Sequence, residues 1–459
     1  MLLGRGKELE YLNQYYCEEG NRMIVLYGQK GIGVSTLLQT FGSDKFTVLL
    51  SCSCASSRQM AYLWAKSLRS QGIPNNSEYP DFYELFESLL QYVVKNESRK
   101  LVLCIDQFHE VLKTDRSLMD AICKLMKEER YYNSFMIILS SNAIGYVENS
   151  LISQIGSLAF QISAFLKLKP LRFIDLVCYF DSSNTQKCMN IYSICGGNPG
   201  FWAYFDINES FRYNICRVFL HKESQLYKIG IHEVSTHLRE LNVYTTLLAS
   251  LAEGREKLND IFNHTLYSRP KISVYLKNLM SHEYVEKVFS YEAPGDVNVK
   301  KGVYRISDPM LQFWFRFIYP HLGEIGIISA EEFYDKYIAS DISLHTGQYF
   351  CKICNEYLHI LNEKNCLPFV YSKCGEWIGK SGTIDIVAQN DKRDTLLGFC
   401  NYAYDGMTFE DYEAYMNCAK QAYLRPMYVY LFSVAGFDKR LEAYAAENSS
   451  LTLVDMSQL

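Results

Sequence analysis

The segment from residue 22 to 40 limits what this chain can fold into more than any other part of it. RMIVLYG (22–28) is an apolar run of strand length, and it passes directly into Gly28-Gln29-Lys30-Gly31-Ile32-Gly33-Val34-Ser35-Thr36, after which LLQTF continues with helical spacing. A strand, a glycine-rich turn and a helix in that order expose backbone N–H groups and a helix N-terminus, which together cradle phosphate. The phosphate-loop pattern requires Gly-x4-Gly-Lys-Ser/Thr. Gly28, Gly33 and Ser35 meet it, Gly31 and Thr36 lie within the same turn, and Val34 occupies the lysine position. A lysine there donates charge-assisted hydrogen bonds to the β- and γ-phosphates; losing them costs about 1.5–3 kcal/mol, one to two decades of affinity. Lys30 sits four residues upstream.

Further apolar strands follow at FTVLLSC (46–52), KLVLCID (100–106), SFMIILSSN (134–142) and ISAFLKLKPL (162–171), with helical stretches such as Asp81 to Lys95 between them. This alternation predicts a parallel α/β sheet. Asp106 ends the KLVLCID strand, where an aspartate of a nucleotide site holds Mg²⁺ together with the loop hydroxyl of Ser35. Gln107 follows it. A glutamine orients a water but cannot accept its proton. Ser140-Ser141-Asn142 ends the next strand, a position suited to sensing a γ-phosphate or simply to turning the chain.

With 459 residues the chain is too long for one ordinary domain. Hydrophobic residues at 48% and charged residues at 21% exclude a disordered chain, and a net charge of −5 excludes a global basic field for nucleic acid or anionic membrane. The 15 cysteines are scattered and mostly set in apolar runs, as reduced thiols are in a cytoplasmic protein. Cys351, Cys354, Cys366 and Cys374 come closest to a zinc pattern, but without a second paired knuckle they read as core. The most apolar run, PMLQFWFRFIYPHL, is interrupted by Arg316 and Pro320 and is too short to span a membrane. The opening MLLGRGKELEYL carries charge by residue 5, which argues against a signal peptide.

In order along the chain, LGRGKELEYL (Gly4, Arg5, Lys7, Glu8, Leu9), the phosphate loop, CIDQF, LSSN, LKPL, CGGNPGFWAYF and YRISDPMLQFWFRFIYP (304–320) resemble the archaeal-type ATPase family, part of the STAND branch of AAA-like P-loop NTPases. The resemblance implies that the Arg5 box and the Gly196-Gly197-x-Pro199 element lie near the nucleotide, ATP or ADP with Mg²⁺. It also implies three domains: a P-loop NTPase sheet over 1–210, a helical and winged-helix region over 211–320, and a small α/β domain similar to PD-(D/E)xK nucleases over 321–459. The chain departs from the family at Val34, at Gln107, and in SLAFQISAF, where an arginine is expected before LKPL. All three departures remove charge from one phosphate site.

Residues 245–288 read as three helices, the last starting near Arg269, with a wing after Val288 and a turn at Ala293-Pro294-Gly295. Arg269, Lys271 and Lys277 are its candidate phosphate contacts on DNA. In the tail, Asp385 matches the nuclease strand aspartate, while Cys351 stands in the helix glutamate slot and Phe399 and Asn401 in the Glu-x-Lys slots, so nuclease activity is not expected. These readings favour a nucleotide-binding switch or scaffold with little or no hydrolysis and a protein partner. The alternatives are an ATP-hydrolysing enzyme using Lys30 and Gln107, and a DNA-binding module acting through the winged helix.

Overall fold

The computed structural model describes residues 3–75, 77–113, 115–181, 184–291, 302–379, 382–403 and 405–458. The chain forms two compact units, Met1–Leu171 with Asn198–Gly200, and Arg172–Gly197 with Phe201–Leu459. The first division therefore falls at Leu171, with a three-residue return, and not at residue 210. The Ala293-Pro294-Gly295 turn lies outside the described residues.

In the first unit, helix α1 (Gly6–Cys17) precedes β1 (Arg22–Tyr27), α2 (Val34–Gly42), β2 (Phe46–Ser51), α3 (Ser57–Ser70), α4 (Phe82–Asn96), β3 (Leu101–Asp106), β4 (Phe135–Ser141) and β5 (Ala164–Lys167). All five strands are parallel in the order β2-β3-β4-β1-β5. Met23, Ile24, Val25 and Leu26 have no exposed surface, as a strand covered on both faces requires. Leu12 of α1 with Leu37, Leu38 and Phe41 of α2 packs on one face, and α3 and α4 fill the other through Trp64, Leu68, Phe86 and Leu89. Helix α4 starts on a capping box in which the Glu84 N–H donates to Asp81 Oδ1 (2.8 Å) and the Asp81 N–H to Glu84 Oε2 (3.3 Å). The strand expected over 162–171 is shorter than predicted: the Leu168 N–H still donates to Tyr27 O (2.7 Å), and Pro170, lacking a donor, cannot continue the ladder.

The second unit contains two strand systems. The helices Leu241–Ala252, Leu258–Thr265 and Arg269–Ser281 are followed by the antiparallel pair β6 (Val285–Val288) and β7 (Val303–Ile306). The apolar phrase after β7 is core: Met310, Leu311, Phe313, Trp314, Phe315, Phe317 and Ile318 are at most 2% exposed. Asp308 caps its first helix by accepting from the Leu311 N–H (3.0 Å). Among the described residues no helix is long and apolar enough to cross a membrane. The second sheet runs β12 (Leu451–Asp455), β11 (Tyr428–Ser433), β10 (Thr395–Asn401), β9 (Thr383–Gln389), β8 (Lys373–Ile378); β8, β9 and β10 are antiparallel, and β10, β11 and β12 parallel. The long helix Ile342–Glu363 reaches this sheet through Tyr357, whose ring lies 6.1 Å from that of Phe432.

Candidate nucleotide-binding site

The turn from β1 to α2 lies at the C-terminal edge of the parallel sheet, and its backbone demands glycine. Gly31 has φ 80° and Gly33 φ 102°, the left-handed region in which a β-carbon is strained. A β-carbon on Gly28 would stand 2.9 Å from Leu168 O. Three carbonyls of the loop are held from outside. Asn198 Nδ2 donates to Lys30 O (2.8 Å), the Gly200 N–H to Gly31 O (3.0 Å), and Arg5 Nη2 to Ile32 O (2.9 Å). Gly200 approaches so closely that a β-carbon there would lie 2.8 Å from Gly31 Cα. The Gly28 N–H donates to Ser141 O (3.2 Å) and the Ile32 N–H to Gln29 O (3.1 Å), while Gly33 caps α2 without a side-chain hydrogen bond, so the amides that face an anion are those of the first turn of α2.

Arg5 is 4% exposed and also pairs with Glu8 (3.1 Å), so in this geometry it braces the loop from beneath. Pro199 lies over the loop, its Cγ 3.8 Å from where a Gly33 β-carbon would be. Lys30, Ser35 and Thr36 are exposed, and Val34 is half-buried in the first turn of α2. Asn198 was not legible as a loop clamp in the sequence, because its partner is 168 residues away. Its only signal was its place between Gly197 and Pro199.

Asp106 is half-buried, two strands from β1 and at the same sheet edge, with β4 between them. Ser140 Oγ donates to Asp106 Oδ1 at 2.6 Å, which turns the carboxylate and leaves its second oxygen for another partner. Gln107 has φ 55°, and its Oε1 accepts from the Asn142 N–H at 3.5 Å. Ser141 and His109 form a buried layer beneath this edge: Ser141 Oγ lies 2.9 Å from His109 Nδ1, and His109 Nε2 lies 2.9 Å from Glu110 Oε1. Glu110, the next acidic residue after Asp106, is thus engaged by His109 and by Lys113 (3.3 Å), so it does not replace the missing glutamate. The set fits a nucleotide with its cation in part. Loop amides would hold the phosphates, and Ser35 and Asp106 the Mg²⁺, whose chemistry is charge neutralisation on phosphate oxygens.

The basic residues of the Arg269–Ser281 helix do not converge. At about 100° per residue Lys271 and Lys277 lie about 200° and 80° round the axis from Arg269. Arg269 lies over the Phe262 ring (4.2 Å) and bonds Asn259 (3.1 Å), while Lys271 lies over Tyr267 (4.7 Å); Lys277 is exposed. In the tail, Cys351 and Asp385 do meet, but Phe399 packs in the opposite core with Ile384 and Val387, and Cys400 joins Asp385 instead. The physical reason is an irregularity in β9, where Gly375 pairs with Val387 but Trp377 with Ile384. Asn401 turns to Gly406 O (3.1 Å), and Glu376 is held by Arg305 (2.6 and 3.2 Å). Cys366 is exposed and Cys374 Sγ bonds Asn355 (3.3 Å), so the four cysteines with a zinc-like spacing do not form one cluster.

Residues 314–412 match a family model described as "Archaea bacterial proteins of unknown function". An uncharacterized protein of Methanocaldococcus jannaschii is 25% identical over 418 residues, covering 86% of each chain. Among solved structures, a Walker-type ATPase of Pyrococcus abyssi is similar at a TM-score of 0.52 and 15% identity, over 69% of this chain and 96% of that one. The ORC2 protein of Aeropyrum pernix, in its ADPNP–ADP complexes, gives 0.45 at 14% identity over 71% and 95%. The first of these structures establishes the P-loop ATPase fold for the parallel sheet and its flanking elements.

Proposed function

We propose that the chain is a nucleotide-binding switch or scaffold of the ATPase class with weak affinity for MgATP or MgADP and little or no hydrolysis. One observation carries this reading. The phosphate loop keeps its left-handed glycines and its clamps from Arg5, Asn198 and Gly200, yet Val34 holds the lysine position. Maintaining a cradle of amides favours binding; removing the cation and the glutamate disfavours turnover. The helices and hairpin over 241–306 read as a winged helix directed at a protein partner, since two of its three basic residues lie over its own rings. The tail reads as a restriction-endonuclease-like domain without nuclease chemistry.

The test is equilibrium binding run beside phosphate release. The reading predicts saturable binding of MgADP and MgATP, lost on Ser35→Ala together with Asp106→Asn when Mg²⁺ contributes, and phosphate release at background. Clear turnover that disappears in Lys30→Ala would replace it with the hydrolase reading.

A further inference from the structure

Beneath the second sheet, two thiols and a carboxylate meet where the helix Ile342–Glu363 lies against β9 and β10. The ligand atoms of Cys351, Asp385 and Cys400 all lie within 4.8 Å of one another. Cys354 stands one helical turn from Cys351 and lies outside this group. Cys354 is fully buried, whereas the residues Cys351, Asp385 and Cys400 are half-buried. Asp385 Oδ2 accepts the Cys400 N–H at 2.9 Å, which fixes the carboxylate and keeps its other oxygen for a ligand.

We propose that Cys351, Cys400 and Asp385 supply three ligands of a tetrahedral site for a thiophilic divalent cation, zinc above all, with water in the fourth position. Zn–S bonds of about 2.3 Å and Zn–O bonds of about 2.0–2.2 Å place tetrahedral ligand atoms about 3.5–3.8 Å apart, a contraction of under ~1.5 Å from the observed spacing limit. Two sulfurs with one carboxylate oxygen select a soft ion over Mg²⁺. On binding, the thiol protons pass to water and the thiolates take the metal. This site is independent of the nucleotide loop, lying on residues of the other compact unit.

The full-length chain, stripped with a chelator and kept reduced, is titrated with Co²⁺ and then Zn²⁺. The expected result is one Co²⁺ per chain with near-ultraviolet thiolate charge-transfer bands and the visible bands of tetrahedral cobalt, both displaced by Zn²⁺. Cys400→Ser lowers the charge-transfer intensity, because one of the two thiolate ligands is gone. Asp385→Asn, which preserves shape and so guards against misfolding, weakens Zn²⁺ by at least the roughly 10–100-fold seen when a supporting ligand partner is lost. Cys366→Ser and Cys374→Ser bind as the parent does. Absence of charge-transfer bands in the parent chain, or unchanged affinity in both Cys400→Ser and Asp385→Asn, overturns the proposal.

Discussion

Gly31 and Gly200 press together closely enough that neither accepts a methyl group. A β-carbon on Gly200 would lie 2.9 Å from Gly31 O, and one on Gly31, already at φ 80°, 2.8 Å from Asn198 Oδ1. Gly200→Ala is therefore expected to lower unfolding stability by about 1–3 kcal/mol and to weaken nucleotide binding in the same sample, read by urea unfolding and calorimetry. Asn198→Ala removes the bonds to Lys30 O (2.8 Å) and from the Gly200 N–H (3.1 Å), and is expected to cost a similar amount, about 1–3 kcal/mol. A variant with native stability and unchanged nucleotide affinity would show that the clamp does not shape the loop. The glycines of the turn were legible from type and spacing. Arg5, Asn198 and Gly200 as clamps were not, because a side chain's long-range carbonyl partner leaves no local pattern.

On the helix Ile342–Glu363, His345 has no exposed surface. Its Nε2 donates to Ser193 O (3.0 Å), the Phe313 and Phe317 rings lie 5.7 Å away, and among the described residues Nδ1 has no hydrogen-bond partner. Burial pushes its pKa down to about 3 against the Ser193 bond, with Arg316 adding to the fall. The unfolded imidazole takes a proton below about pH 6.5 while the native one stays neutral to about 3, so between those values the unfolded state binds more protons and stability falls as pH drops, by up to about 1.4 kcal/mol per pH unit. His345→Gln is expected to lose this slope, so that its urea midpoint approaches that of the parent chain on going from pH 7 to pH 5; parallel curves would refute the assignment. Strands β9 to β12 were legible in the sequence as apolar runs such as DIVA, TLLGF, VYLF and LTLV. Strand β8 was not: Lys373, Gly375 and Glu376 break the alternation of an edge strand that shifts register against β9.

Across the whole molecule, the parallel sheet was readable because every central strand is an uninterrupted apolar run that ends on small or polar residues, Gly28, Asp106 or Ser140. The tail was readable as an α/β unit, but the resembled pattern put Phe399 and Asn401 in the Glu-x-Lys slots, and that Cys400 meets Asp385 was not legible, since a bulge in β9 is invisible to a period of two. Activity follows the same division between backbone and charge. Gln107→Glu alone is expected to leave phosphate release at background, because a base without the loop lysine acts on a poorly held γ-phosphate; measurable turnover in that variant would mean that Val34 is not limiting. The most direct measurement is isothermal titration of the chain and of Val34→Lys with MgATP and MgADP. The account predicts weak saturable binding by the chain and tightening by one to two decades in the variant, the worth of about 1.5–3 kcal/mol in charge-assisted bonds. No binding by either protein would contradict it, because the loop would then no longer be a phosphate cradle.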